Sequence, residues 1–226
     1  MDLLELYKNW VEFYASLFLL FPLTMVKDWH RRKSSDGFTY IGLIFGILMM
    51  SCWTRFAFLK GDQSTIRFSC FNMFMCIFYY VAFLYYRTDK ASPLRAIAIA
   101  AAAFVAIFAY VETVQENEKL ATMGKISAVV QNLNIIGTFV QIKAVVDKKT
   151  SEYLPFGFIC LIISFIAQRT LLGVLSGDMY MAFGFAPGLI LNIFQLSLFY
   201  FYPPLTWRVP IIGTGPAETE EEKKKQ

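Results

Sequence analysis

The sequence predicts an all-α membrane protein of seven transmembrane helices, built as two parallel three-helix repeats joined by a linker helix (3+1+3). Three observations predict it. Hydrophobic residues make up 57% of the chain and charged residues only 17%, against about 25% charged in ordinary soluble domains. The apolar residues fall into seven long runs, each near the roughly 20 residues that a helix needs to cross a hydrocarbon layer about 30 Å thick. Finally, WTRFAFLKGD at 53–62 recurs without a gap as RTLLGVLSGD at 169–178, an offset of 116 positions, and a repeat of this size governs the whole architecture.

Taken in order, the spans are read at 9–27, 38–59, 65–86, 94–114, 124–146, 154–175 and 179–203. Barrel strands would alternate and be about half as long. The first span has Asp2, Glu5 and Lys8 ahead of it and Pro22 late in its run. It lacks a basic leader and a small-residue cleavage site, so it reads as a retained helix. The second and third spans form one copy of the repeat with the first, and the fifth to seventh form the other. Thr54, Leu59, Gly61 and Asp62 match Thr170, Leu175, Gly177 and Asp178. Upstream, Lys27, Lys33, Ser35 and Asp36 meet Lys143, Lys149, Ser151 and Glu152, and downstream Phe83 and Tyr86 meet Phe199 and Tyr202. The fourth span, AIAIAAAAFVAIFAYV, belongs to neither copy. The chain therefore divides into a first triplet at 1–91, a linker helix at 92–119, a second triplet at 120–206 and a charged tail at 207–226, expected to be disordered in the cytoplasm.

Charge sets the expected orientation. With the N-terminus outside, the first, third and fifth loops and the tail carry 14 of the 21 Lys and Arg to the cytoplasmic side. The basic loops at 27–33 and 143–149 are repeat-equivalent and four crossings apart, so both lie on one side. Two odd-numbered triplets joined directly would oppose each other, and the linker helix restores a common direction.

The layout and several stretches resemble the SWEET sugar transporters, within the wider PQ-loop group. KSSDGFTYIGLIFGILMMSCWTRFAFLKGD and KKTSEYLPFGFICLIISFIAQRTLLGVLSGD carry the family's basic Ser/Thr-containing loop, a form of its W-x-x-Y-G element, and its Asp before the third helix of each triplet. GDMYMAFGFAPGLILNIFQLSLFYFYPP is similar to the family's seventh helix. The resemblance spans roughly 9–206. It implies bidirectional, facilitative movement of mono- or disaccharides by alternating access, without cofactor, metal or enzymatic activity. A sugar and the surrounding lipids are the implied partners, with a homo-oligomer as a further implication and no nucleic acid.

Residue by residue the match is uneven. Of four helix-bending prolines, Pro22 and Pro155 are present, while the other two positions hold Gly42 (Thr39 in the internal register) and Thr138. The family's two sugar-binding asparagines fall at Ser69 and Phe185, with Asn72 and Asn192 one or two turns further on. Trp53 keeps the aromatic position of the second helix, and Arg169 replaces it in the sixth. The resemblance thus implies a pocket of Trp53, Ser69, Arg169 and Phe185, with Asn72 and Asn192 as substitutes, gated at Pro22, Gly42, Thr138 and Pro155.

Other polar residues have competing readings. Arg169 either lines the central cavity opposite Trp53 or snorkels to the membrane edge. Arg55 suits a rim role, and Glu112 a solvated helix end beside Glu116 and Glu118. Gln131, Asn132 and Asn134 either line the pathway or tie helices together. Tyr79–Tyr80, Tyr85–Tyr86 and Phe199–Tyr202 read as an aromatic belt, and the single histidine, His30, belongs to a basic loop. The four cysteines lie in spans at spacings that match no zinc site. One histidine supplies neither a His-based metal cluster nor a triad, and no Walker A loop is present. KKKQ at the C-terminus fits the loose dilysine pattern of proteins retrieved to the endoplasmic reticulum or Golgi, but reads more simply as a solvated tail. The plasma membrane is therefore the expected location. Two function classes besides sugar transport stay open: a PQ-loop carrier of an amino acid or organic anion, and a non-transporting protein that retains the fold.

Overall fold

The computed structural model describes residues 3–36, 38–133, 135–152 and 154–216, and of Ser64 the backbone alone. The chain is helical throughout, with no strand among the described residues. The helices are α1 (Leu3–Leu20), α2 (Leu23–Arg32), α3 (Ile41–Lys60), α4 (Gln63–Tyr85), α5 (Ala91–Thr113), α6 (Glu116–Leu133), α7 (Ile135–Lys148), α8 (Phe156–Leu175) and α9 (Met179–Phe201). Because α1–α2 and α6–α7 each run on as a single span, these give seven helices long and apolar enough to cross a membrane.

The helix ends explain why the repeat kept its polar residues. Gly61 and Gly177 both take the left-handed backbone conformation, at φ 71° and 68°, which glycine adopts without a Cβ clash. Asp62 and Asp178 follow at once and cap the next helix, each accepting from the backbone N–H three residues on, Thr65 at 3.3 Å and Met181 at 3.1 Å. Gly-Asp is thus a stop–start signal joining two antiparallel helices, and such a cap is worth about 0.5–2 kcal/mol. At the other end, Lys33 and Lys149 are both left-handed. Ser35 and Ser151 donate their backbone N–H to the carbonyls of Tyr86 and Tyr202 at 3.0 and 2.9 Å, tying each basic loop to the end of its triplet's third helix. The copies therefore share their caps and loop ties at equivalent positions, as the 116-residue offset requires. For clarity the two ends are called the aspartate end and the serine end.

In the first triplet α4 touches α1, α2 and α3; in the second α9 touches α6, α7 and α8. The triplets meet along α1 with α8 and α3 with α6, and α5 packs over α3 and α6. Val11, Cys52, Trp53, Phe56, Val111, Met123, Leu172 and Phe185 form the apolar centre between them. Outward faces are greasy too: Ile99 and Ile190 are 71% and 70% exposed, which suits lipid and would be costly in water. Small residues set the closest approach. A Cβ on Gly173 of α8 would come within 2.6 Å of the Ala182 backbone nitrogen of α9.

Several boundaries differ from the sequence reading. The first span starts at Leu3, not 9, and its helix breaks at Phe21–Pro22, where proline removes a backbone donor. The fifth span starts at Glu116, inside the segment assigned to the linker, because Glu116 and Glu118 in its first turn complement the helix dipole although they depress hydropathy. Tyr79, Tyr80 and Phe199 are buried rather than belted at the lipid interface. Tyr79 donates to the Leu19 carbonyl and Tyr80 to that of Pro93, at 2.6 and 2.7 Å. The start of the expected tail is tied back at two points: Val209 is buried and the Thr214 hydroxyl donates to the Phe199 carbonyl at 2.8 Å. The remaining tail, 217–226 with its KKKQ, lies outside the described residues, as does Asn134.

Candidate functional site between the triplets

Two cavities lie along the interface between the triplets, one in each half of the bundle. The larger, about 300 Å³, occupies the serine-end half. Its apolar wall comes from Phe18 of α1 and Phe158, Ile162 and Phe165 of α8, and its polar groups are Gln131, Thr138 and Asn192. The smaller, about 60 Å³, lies towards the aspartate end and is lined by Trp53, Arg169, Lys8, Glu12, Lys60, Asp62 and Asp178 among others.

A pair of rings stands between the two. Trp53 of α3 stacks on Phe185 of α9, with ring centres 6.0 Å apart and planes 21° from parallel. Trp53 borders the small cavity and Phe185 the large one. The indole N–H donates to Gln131 Oε1 of α6 at 3.1 Å, fixing the ring across the triplet interface. Gly184, beside Phe185, leaves room for it, since a Cβ there would meet Trp53 at 3.3 Å.

Beyond this stack, ion pairs bridge the helices of the aspartate end. Lys8 of α1 pairs with Asp62, and Lys60 of α3 crosses to Asp178 of the other triplet. Burial alone would raise the Asp62 carboxyl, but hydrogen bonds from Lys8 and Thr65 outweigh it and hold the group below its ordinary range. Outside the cavity Glu112 accepts from both Arg55 and Lys119, joining α3, α5 and α6. Arg55 and Glu112 are therefore partners at the rim.

The residues singled out in the sequence are dispersed. Trp53 and Phe185 stack, Arg169 shares the small cavity with Trp53, and Asn192 shares the large one with Phe185. Arg169 is only 5% exposed, so its side chain is held inside rather than extended to the edge. Ser69 and Asn72 are buried on α4, but neither lines these two cavities. The Asn72 amide donates to the Phe68 carbonyl at 2.9 Å. Among the gating positions, Pro22 sits at the α1–α2 break and Thr138 lines the large cavity within an unbroken α7. Gly42 lies in the first turn of α3, and Pro155 precedes α8 instead of bending it.

Two features escaped the sequence reading. Glu12, a carboxylate within the first span, faces the small cavity and accepts from the Thr65 hydroxyl at 3.3 Å; an acidic residue in an apolar run was the available signal. Pro187 lies inside α9 and cannot donate to the Phe183 carbonyl one turn back. Asn132 of α6 supplies that bond at 3.2 Å, and also donates to its own Ala128 carbonyl at 2.8 Å.

Comparison with known proteins agrees with this geometry. The family described as sugar efflux transporters for intercellular exchange matches residues 11–91, the first triplet. A sugar transporter SWEET1 of Drosophila pseudoobscura pseudoobscura is 24% identical over 180 residues, covering 78% of this chain and 80% of that protein. A bidirectional sugar transporter SWEET10 of Arabidopsis thaliana is 24% identical over 188 residues, or 81% of this chain and 65% of its relative. Mouse (Mus musculus) sugar transporter SWEET1 is 21% identical over 201 residues, covering 85% and 91%. A eukaryotic SWEET transporter solved at 3.7 Å superposes with a TM-score of 0.77 at 18% identity, over 89% of this chain and 99% of that one. The resemblance drawn from the sequence is borne out: the chain is similar to the family's model through its first triplet and has the fold of a solved SWEET transporter along most of its length.

Proposed function

We propose that this protein carries mono- or disaccharides across a membrane, down their gradient, by alternating access. The observation that carries the reading is the Trp53–Phe185 stack. It lies between two parallel triplets, with a cavity on one side and an ion-paired closure on the other. Rocking one triplet against the other would part the rings, break Lys60 from Asp178 and close the serine end. In the cavity, Gln131, Thr138 and Asn192 offer neutral hydrogen-bonding groups, and the phenylalanine rings offer faces on which a sugar can stack. Pro22 and the breaks beside it serve as the flexible points, with Gly42, Thr138 and Pro155 as secondary ones. Ser69 and Asn72 act from behind the pathway. The positive-inside balance supports an outside N-terminus and a cytoplasmic serine end, and the plasma membrane is the location this reading proposes.

The Drosophila, Arabidopsis and mouse relatives are named as sugar transporters, which supports the same reading. Arg169 favours a second one, a carrier of an anionic solute on the same fold, because a guanidinium matches a carboxylate through two parallel charge-assisted hydrogen bonds. Uptake and counterflow of labelled glucose, fructose and sucrose in proteoliposomes tests both. Saturable counterflow of any of them supports the sugar reading. Flux of an organic anion with none of these sugars would replace it with the second.

A further inference from the structure

Arg169 is anomalous for a residue within a membrane span. A cation there costs at least ~2.5–3.5 kcal/mol on insertion scales, and such residues are usually fully partnered. Its side chain is 95% removed from solvent, yet Nη2 has no hydrogen-bond partner among the described residues. The guanidinium packs against two rings: its carbon lies 4.4 Å from the centre of the Phe68 ring and 5.8 Å from that of Phe165. Both contacts are with π faces, which attract a cation but accept no conventional hydrogen bond. Arg169 also lines the small cavity, together with Trp53.

The other charges of that cavity are engaged. Asp62 accepts from Lys8 and twice from Thr65. Asp178 accepts from Lys60 and from the Met181 N–H. Glu12 accepts from the Thr65 hydroxyl, and its charge also acts on Arg169. The volume, about 60 Å³, is room for one or two water-sized groups. A carboxylate or a single halide fits, and a whole sugar does not.

We propose that the small cavity is a binding site for one monovalent anionic group, held by the unpartnered donor of Arg169 and opposed by Glu12. The group is either a free small anion or the carboxylate of a hydroxylated solute whose body occupies the large cavity beyond Phe185. Only the second alternative rests on the transport reading. Phe165 borders the large cavity and also contacts the guanidinium. A solute could therefore pass its charged end to Arg169 once the Trp53–Phe185 stack parts.

Thermal unfolding of the purified, full-length protein tests the site without requiring transport. One arm exchanges isethionate for chloride at constant ionic strength; the other compares glucuronate with glucose. The wild type is expected to gain a saturable rise in Tm in one arm. Chloride identifies a free anion, and glucuronate identifies a substrate carboxylate. Arg169→Met should weaken the effective anion by about tenfold or more, the usual worth of a charge-assisted bond. Glu12→Gln, which removes the opposing charge, should tighten it. Should Arg169→Met fail to fold, Arg169→Lys keeps the charge without the fork and is expected to weaken binding, while Glu12→Gln still reports the opposite sign. No rise with either anion, or equal rises in wild type and both Arg169 variants, overturns the site. Sugar counterflow with no anion effect would overturn this inference alone. An anion effect without sugar counterflow would overturn only the sugar reading.

Discussion

Lys60, the last residue of α3, reaches across the triplet interface to Asp178, the residue that caps α9. One ion pair thus fastens the end of a first-triplet helix to the start of a second-triplet helix. The Asp178 side chain is only 3% exposed, and Lys60 is 36% exposed, so removing the lysine leaves a buried carboxylate with only its capping bond to the Met181 N–H. Lys60→Met should therefore loosen the aspartate end. With the four native cysteines replaced, a cysteine at Met181, which lines the small cavity, should react about fivefold faster with a thiol reagent. That is the population shift produced by about 1 kcal/mol. An unchanged rate would assign the closure to the other contacts.

Glycine substitutions separate packing from bending. Gly173→Ala drives a Cβ to 2.6 Å from the Ala182 backbone nitrogen, and neither helix can yield without shifting its partner. A loss of about 1–3 kcal/mol is expected, read as a lowered Tm. Gly42→Ala meets nothing within 4 Å and should raise stability by about 0.5–1 kcal/mol through helix propensity. A drop in solute flux by Gly42→Ala at raised stability would identify a hinge there, and unchanged flux would remove Gly42 from the gate.

The Asn132–Pro187 relationship is testable as a cycle. Asn132→Ala removes the bond to the Phe183 carbonyl that Pro187 leaves open, at an expected cost of about 1–2 kcal/mol. In a Pro187→Ala background the restored backbone N–H can take that carbonyl, so the same Asn132 substitution should cost less. Additive effects in thermal unfolding would show that the amide and the proline act independently.

The serine-end loops should fail together in acid. A hydrogen bond from Thr88 holds Asp36 below its ordinary range, and one from Thr206 does the same for Glu152. A carboxyl with a depressed folded-state pKa contributes stability that is fully present above its unfolded pKa and lost as pH falls through the folded one. Tm should therefore decline below the ordinary carboxylate range. Thr88→Val and Thr206→Val together should flatten that decline while leaving the neutral-pH fold intact. A decline of unchanged steepness in the double variant would place the acid sensitivity elsewhere.

Hydropathy and the 116-residue offset determined the seven spans, the 3+1+3 order and the equivalence of the copies. These follow from properties that are local in the chain: an apolar run must be helical in lipid, and a Gly-Asp turn carries its own cap. Helix breaks were less legible. Pro22 announced one, but Pro155 bends nothing because it stands before its helix, and the register of a proline within a helix is not a property of composition. The rim residues Arg55 and Glu112 were legible, but the destination of polar side chains within the spans was not. Whether Arg169 snorkels or turns inward depends on Phe68 and Phe165, one of them 101 positions away. Ser69 and Phe185 occupy equivalent repeat positions and both are buried, yet Ser69 lines neither cavity while Phe185 lines the large one and stacks on Trp53. A repeat fixes backbone position, while cavity lining depends on which helix of the opposite triplet packs there, and only the tertiary structure decided that.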